Sequence, residues 1–139
     1  MMRYVFDTDT LTLYQEGHPD VCRKAIAHHP AELATTIISV EEQLSGWFTM
    51  LRRAKDRATL ARTYQRLTDT VSFLVQIPIL SFTELAIGRF EALRHMKLNI
   101  GNMDLRIASI VLEEGSILVT RNLRDFRRVP GLLSEDWSV

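Results

Sequence analysis

Cysteine is almost absent from this chain of 139 residues, which contains Cys22 as its only thiol. A single cysteine cannot form an intramolecular disulfide, and this composition is typical of a reducing compartment. An excess of basic residues is also missing, because 17 Lys+Arg balance 17 Asp+Glu. Non-specific nucleic-acid binders usually carry such an excess, so any nucleic-acid contact must come from a local patch or from metal ions.

Long apolar runs are missing as well. The longest, residues 71–82, contains Gln76 and Pro78 and is too short to span a bilayer. Asp7 and Asp9 interrupt the first apolar run, so we expect no signal peptide. Glycine loops that bind phosphate, the G-x-S-x-G motif and zinc-ligand spacings do not occur. These absences predict a soluble cytoplasmic protein that does not bind membranes.

The residues that are present suit an ordinary globular core, with 46% apolar and 24% charged. Short segments rich in β-branched residues alternate with amphipathic segments along the chain. This alternation predicts an α/β fold with a central parallel sheet of four to five strands flanked by helices, in one domain over residues 1–139. A helical hairpin is expected in the middle, broken near residues 55–58. The predicted strands are residues 3–6, 34–40, 77–80 and 117–120, with a fifth short strand between 129 and 139.

Two helix starts are predicted from local residue preferences. Asp20 is expected to cap a helix over residues 21–29, which Pro30 would end. Ser39 is expected to cap the next helix. Glu42 would then lie in the first turn and complete a capping box.

Four carboxylates stand at predicted strand ends or helix starts: Asp7, Glu42, Asp104 and Asp125. In a parallel sheet the strand ends and the helix starts that follow them share one edge, so we expect these side chains to converge. Clustered carboxylates repel one another and are stabilised by protonation or by a cation. Oxygen ligands favour Mg²⁺ or Mn²⁺, which can assist hydrolysis of a phosphodiester. Acids at helix starts also occur for capping alone.

Three segments around these acids resemble the motifs of one family. YVFDTDT resembles a hydrophobic strand followed by D-T-N, and ISVEEQLSGW resembles I-S-x-x-E-x-x-x-G. NMDLRIASIVLEEGSILVTRNLRDFRRVPGL resembles the long block D-x-x-I-A … T-x-N-x-x-D-F-x-x-V-x-G-L. The sequence is therefore similar to the PIN-domain ribonucleases and, among them, to VapC-type toxins of bacterial type II toxin–antitoxin pairs.

This resemblance implies an endoribonuclease that depends on Mg²⁺ or Mn²⁺. Its catalytic and metal-binding residues would be Asp7, Glu42, Asp104 and Asp125. The resemblance further implies an RNA substrate, tRNA or rRNA, and a homodimer. A cognate antitoxin would inhibit the enzyme by placing its tail in the active-site groove.

Further residues near these acids are expected to support the site. Asp9 departs from the family pattern, which often has Asn there. We expect Asp9 to act behind the metal ligands or to cap the next helix rather than to bind the metal directly. Thr120 and Asn122 resemble the family's polar helpers near the last acid. Arg121 and Arg124 are candidates for contact with RNA phosphates, or for ion pairs with the acids.

Basic residues concentrate in the predicted hairpin, where they either contact RNA or form a solvated face, and we favour the solvated face. They are Arg52, Arg53, Lys55, Arg57, Arg62 and Arg66. Trp47 and Phe48 occupy consecutive helix positions, so one of them is expected at a groove or interface unless both pack in the core.

Two other functions compete with the nuclease. A catalytically degenerate PIN-like module would bind a partner protein without cutting RNA, and the presence of all four acids argues against it. A receiver-like phosphoacceptor also clusters acids at strand ends. That class needs a lysine at a late strand end, where this chain has Arg121 and Asn122 instead.

Overall fold

Five short strands form a parallel sheet, which confirms the predicted α/β class. The computed structural model describes residues 2–139. The strands are β1 (Tyr4–Phe6), β2 (Leu33–Thr36), β3 (Ile79–Leu80), β4 (Ile117–Val119) and β5 (Leu133–Glu135). Their order in the sheet is β3-β2-β1-β4-β5, and every neighbouring pair is parallel.

Seven α-helices and one 3-10 turn (Pro30–Glu32) connect the strands within residues 2–139. The helices are α1 (Thr8–Gln15), α2 (Pro19–Ile26), α3 (Ile37–Arg53), α4 (Arg57–Leu74), α5 (Glu84–His95), α6 (Asn102–Glu113) and α7 (Leu123–Phe126). Helices α3 and α4 form the expected hairpin, and the break between them agrees with the prediction. None of these helices is long and apolar enough to cross a membrane.

The central strands are buried on both faces because helices cover the two sides of the sheet. Val5 and Leu118 point to one side, where they pack with α5 and α6. Phe6 and Val119 point to the other side, into a cluster that includes Trp137. This alternation of neighbouring residues between two cores explains why the strands are apolar at every position rather than at every second one.

The order of the strands places a crevice at the end of β1. From β1 the chain first builds outward through β2 and β3 and later through β4 and β5 on the other side. In open α/β sheets such a reversal of direction leaves an opening beyond the carboxyl ends of the strands. Asp7 follows β1 and Thr120 follows β4, so both lie at this opening.

The predicted start of α3 is wrong. Strand β2 ends at Thr36, and the Thr36 hydroxyl accepts a hydrogen bond from the Ser39 amide (3.2 Å) and caps the helix. Ser39 therefore lies inside the helix, no capping box forms with Glu42, and Glu42 lies in the second turn. The β-branched run misled the prediction because Ile38 is buried on the inner face of α3, where tertiary packing overrides strand preference.

The predicted bounds of α2 are also wrong. His18 caps this helix through its Nδ1 atom, and Asp20 lies in the first turn, where it pairs with Arg23 at 3.0 Å. The helix ends at Ile26, before Pro30, which instead begins the 3-10 turn. Proline is suited to the first position of a helix because it has no amide proton to satisfy there.

Candidate active site

Asp7 is the most constrained carboxylate of the site and is only 6% exposed. One of its oxygens accepts a hydrogen bond from the Thr10 amide (2.8 Å), which makes Asp7 the N-cap of α1. Its other oxygen accepts from the Thr120 hydroxyl at 2.6 Å. Burial raises the pKa of Asp7 above its ordinary value, against the opposing effect of these hydrogen bonds. The carboxylate is therefore fixed in orientation but costly to ionise.

Glu42 reaches the same edge from α3. It lies three residues after Ser39 and four after Ile38, both buried, so it belongs to the face of α3 that is directed at the protein. The Thr8 hydroxyl donates to Glu42 Oε1 (2.5 Å) and also contacts the Ser39 hydroxyl (3.0 Å). Thr8 thus couples the start of α1 to α3. Glu41, the neighbouring acid, is exposed, as expected.

Asp104 lies in the first turn of α6, where its helix starts at the same edge of the sheet. Burial raises its pKa to about 6, and the charges of Asp7, Glu42 and Asp125 add to the shift. A carboxylate in the first turn is normally favoured by the helix dipole. Here desolvation and repulsion outweigh the dipole, which indicates that the four acids act on one another electrostatically.

Asp125 lies in α7 and has partners of its own. Asn122 caps this short helix, and its side-chain amide donates to Asp125 Oδ2 at 2.9 Å. Arg128 pairs with the other Asp125 oxygen at 3.2 Å. Asn122 is itself held by a hydrogen bond from its backbone amide to the Thr120 hydroxyl (2.9 Å). Thr120 therefore connects the first and the last of the four acids.

An open cavity of about 610 Å³ lies where these elements meet. Three of the four acids line it, namely Asp7, Glu42 and Asp104, whereas Asp125 is not among its lining residues but is bonded to one of them, Asn122. Within residues 2–139, none of these three lining acids forms a salt bridge with a Lys, Arg or His side chain. The cavity is therefore acidic, and no basic side chain of the described residues is paired with these three acids.

Asp9 lies on the wall of the cavity but does not cap a helix, because Asp7 caps α1. That part of the expectation is wrong. Asp9 instead forms a two-point ion pair with Arg121, with Nε–Oδ2 at 2.6 Å and Nη2–Oδ1 at 2.9 Å. Arg121 also lines the cavity, whereas Arg124 points outward and is exposed.

A second depression adjoins the acidic cavity and shares Thr8, Thr12 and Glu42 with it. This groove has a volume of about 860 Å³ and runs between α1, α3 and α4. Its walls include Trp47, Met50, Phe73, Arg53 and Arg66. The Arg66 guanidinium lies 5.2 Å from the centre of the Trp47 ring, and Trp47 donates to Thr70 at 2.9 Å.

Of the two adjacent aromatic residues in α3, Trp47 faces this groove, and Phe48 is 46% exposed. Two of the six basic residues of the hairpin, Arg53 and Arg66, also line the groove.

The donor set suits a hard divalent cation in its chemistry, since Asp7, Glu42 and Asp104 offer carboxylate oxygens that are not paired with a basic side chain among residues 2–139. Within residues 2–139, however, no three Asp, Glu, His or Cys side chains converge closely enough to ligate one ion as they stand. Three of the four acids are held by other side chains instead: Thr120 and Thr10 bind Asp7, Thr8 binds Glu42, and Arg128 binds Asp125.

Comparison with known proteins agrees with the fold and the order of the motifs. The chain is 26% identical over 141 residues to the tRNA(fMet)-specific endonuclease VapC of Salmonella typhimurium, covering 99% of each protein. It is 28% identical over 142 residues to ribonuclease VapC2 of Haemophilus influenzae, again covering 99% of each. The solved structure of VapBC2 from Rickettsia felis bound to a DNA fragment superposes with a TM-score of 0.78 at 26% identity, covering 98% of this chain and 99% of that one.

Over almost its whole length the chain is thus similar, in sequence and in fold, to VapC-type PIN-domain proteins. No protein-family model matches it. The similarity rests on relatives of the same length and on the fold, and it confirms the resemblance found in the sequence motifs.

Two residues of this site were not predicted. Thr8 binds Glu42, and Arg128 binds Asp125. Arg128 follows Asp125 by three residues on one helical turn, a spacing that brings side chains together and could have revealed the pair. Thr8 and Glu42 are 34 residues apart, and no local pattern in the sequence connects them.

Proposed function

We propose that this protein is a divalent-metal-dependent endoribonuclease that acts as the toxin of a toxin–antitoxin pair. One observation carries the proposal: Asp7, Glu42 and Asp104, which come from three separate parts of the chain, line one cavity, and within residues 2–139 none of them forms a salt bridge with a basic side chain. Burial and the charges of Asp7, Glu42 and Asp125 raise the pKa of Asp104 to about 6, so the acids repel one another. Natural proteins retain such repulsion mainly at functional sites.

Asp7, Glu42 and Asp104 would hold Mg²⁺ or Mn²⁺ in this site, and Asp125, which is already paired with Arg128, would be the weakest of the four ligands. When bound, the ion would supply Lewis-acid stabilisation of charge at the phosphate and activation of a water. The chain's own side chains would do the rest. Thr120 fixes the direction of the Asp7 carboxylate, and Thr8 orients Glu42. Asp104 would bind metal in its ionised form, so protons would compete with the ion near pH 6.

RNA is the proposed substrate because relatives of the same length are named a tRNA(fMet)-specific endonuclease and a ribonuclease. The Salmonella typhimurium relative is named for its specificity toward tRNA(fMet), so a tRNA is the first substrate to test, with rRNA as the second. Arg121 lines the cavity and Arg124 lies exposed in the adjacent helix α7, so both would contact phosphates of the RNA.

A cognate antitoxin is the proposed protein partner. Solved structures of similar fold include VapBC2 from Rickettsia felis and VapBC from Salmonella typhimurium, both bound to DNA. The groove between α1, α3 and α4 adjoins the acidic cavity and offers Trp47, Met50 and Phe73 to an apolar peptide side chain. An antitoxin tail in this groove would reach Glu42 and block the cavity. The active form would be a homodimer in the cytoplasm.

The proposal is tested by incubating the purified protein with bulk tRNA and with rRNA in Mg²⁺ or Mn²⁺. We expect discrete cleavage products that disappear with EDTA and in Asp7→Asn. Cleavage that persists under either condition would exclude the metal–carboxylate mechanism. Failure to cut any of these RNAs, together with no growth arrest on expression, would instead support a catalytically degenerate module that binds a partner protein.

A further inference from the structure

The ion pair between Asp9 and Arg121 joins two separate walls of the acidic cavity. Asp9 lies in the first turn of α1, and Arg121 lies in the segment that connects β4 to α7. The two residues are 112 positions apart, yet both guanidinium–carboxylate contacts are short, at 2.6 and 2.9 Å. Parallel contacts of this kind fix the plane of the guanidinium and not only its position.

Stability alone does not account for this pair. Both side chains are about 50% exposed, and ion pairs at that exposure contribute little to the free energy of folding. The segment that carries Arg121 is already held by Thr120 and Asn122, through the hydrogen bond between them and through the cap of α7. The pair therefore orders the Arg121 side chain more than it orders the backbone.

The position of Arg121 suits a phosphate at the cavity mouth. A guanidinium has five N–H donors, and the pair with Asp9 uses two of them. The remaining three belong to a side chain that is half exposed and lines the same cavity as Asp7 and Asp104. A free arginine at this place would be drawn toward Asp7, whose charge also acts on it. Asp9 keeps the guanidinium at the wall.

We propose that Asp9 is a positioning residue that holds Arg121 at the mouth of the cavity, where the free guanidinium donors bind a phosphate of the RNA. This inference rests on the proposed function and adds a substrate contact to it. It also assigns a role to the acid that departs from the family's usual asparagine. An asparagine at position 9 has one acceptor oxygen instead of two, so it could not form the parallel two-point pair with Arg121 and would carry no charge.

Two explanations of the role of Asp9 predict opposite changes in the affinity for RNA when Asp9 is replaced by Asn. If Asp9 only adds negative charge near the cavity, its removal should tighten binding of a polyanion. If Asp9 positions Arg121, its removal should weaken binding even though the net charge becomes more positive. In an Arg121→Gln background the positioning role is gone, so Asp9→Asn should then tighten binding slightly. The sign of the Asp9→Asn effect should reverse between the two backgrounds.

The test measures the Kd of fluorescently labelled bulk tRNA in EDTA, over a range of salt concentrations, for the full-length wild type, both single variants and the double variant. We expect Arg121→Gln to raise the Kd roughly tenfold and to reduce the slope of log K against log salt by about 1. Asp9→Asn should raise the Kd roughly threefold to fivefold. Glu41→Gln is the matched control for loss of one exposed acid, and it should leave the Kd unchanged or lower it.

Different results would overturn the positioning role of Asp9 and the proposed endoribonuclease function. Asp9→Asn that tightens binding in both backgrounds, or Arg121→Gln with an unchanged Kd, would overturn the positioning role even if the wild type cuts RNA. Wild-type protein that binds tRNA with the expected pattern but never cuts it in Mg²⁺ or Mn²⁺ would overturn the proposed function and leave the positioning role supported. No detectable binding of tRNA by the wild type would overturn the inference. Circular dichroism melting curves for each variant establish that it is folded.

Discussion

Four of the five acids at this site form an inner and an outer pair, which differ in what each carboxylate is paired with; the fifth, Glu42, accepts a hydrogen bond from Thr8. Asp7 and Asp104 line the cavity, and among residues 2–139 neither pairs with a basic side chain. Burial raises the pKa of both. Asp9 and Asp125 are more exposed, and each is bound to an arginine, Arg121 and Arg128.

This contrast shows where a cation is needed. An outer acid is already neutralised by its arginine, so it orients neighbouring groups at little electrostatic cost. An inner acid retains a charge that the protein does not compensate. Repulsion of about 4 kcal/mol between two charges 4 Å apart at an effective dielectric constant near 20 gives the scale of this cost. The inner pair is therefore the part of the site where a divalent ion would gain most.

The largest expected effect comes from removing an inner charge. Asp104→Asn keeps the size of the side chain and should reduce RNA cleavage in Mg²⁺ on the order of a thousandfold, since the ion loses a ligand. Asp125→Asn is the matched outer variant and should cost only about tenfold. Initial cleavage rates of the same tRNA measure both. Equal losses in the two variants would remove the distinction between inner and outer acids.

A smaller effect is expected on the free energy of unfolding of the metal-free protein as the pH changes. The pKa of Asp104 is raised from 3.8 to about 6 in the folded protein, so between these values the folded state binds more protons than the unfolded state. The free energy of unfolding should therefore fall as pH rises across this window. The full shift corresponds to about 3 kcal/mol, which solvent screening reduces to about 1–2 kcal/mol.

Urea unfolding in EDTA at pH 4.5 and pH 7.5 measures this effect as a difference between the wild type and Asp104→Asn. The variant lacks the titrating group, so its stability relative to the wild type should increase by about 1–2 kcal/mol from the lower to the higher pH. A difference that does not change with pH would show that Asp104 is not destabilised by ionisation.

The smallest effects on stability and on cleavage are expected when an outer acid loses its arginine. Arg128→Gln breaks the ion pair with Asp125, which is about one-third exposed on each side. Such a pair contributes about 0.5 kcal/mol or less, and Asn122 still holds the carboxylate. Thermal melting should show a shift of only a few degrees, and cleavage should change less than about threefold. A loss of cleavage comparable to that of Asp104→Asn would place Asp125 among the inner acids.

The positions of the acids at the edge of the sheet could be predicted from the sequence, but the side chains that bind them could not. Asp7 follows an apolar strand and Asp104 begins a helix, and both placements depend only on local pattern and on the rule that parallel strands share an edge. The contacts of Thr8 with Glu42 and of Asp9 with Arg121 cross 34 and 112 residues. They form because the fold brings distant parts of the chain together, and no local pattern in the sequence predicts them.

The N-cap of α3 was predicted wrongly for a related reason. Thr36 and Ser39 are both suitable capping residues, and local preference alone cannot choose between them. The choice is made by the sheet, because β2 pairs with β1 only as far as Thr35 and the chain then turns to bury Ile38. That three-residue difference moves Glu42 from the first to the second turn of α3, where Thr8 can reach it.

The central claim is that the inner acids bind a divalent ion, and calorimetric titration of the metal-free protein with Mn²⁺ tests it most directly. We predict saturable binding at pH 7.5 that weakens roughly tenfold or more at pH 5.5, where protons compete for Asp104, and a comparable loss in Asp104→Asn at pH 7.5. Asp125→Asn should retain most of the affinity. Absence of binding at millimolar Mn²⁺, or equal affinity in the wild type and Asp104→Asn, would contradict this account.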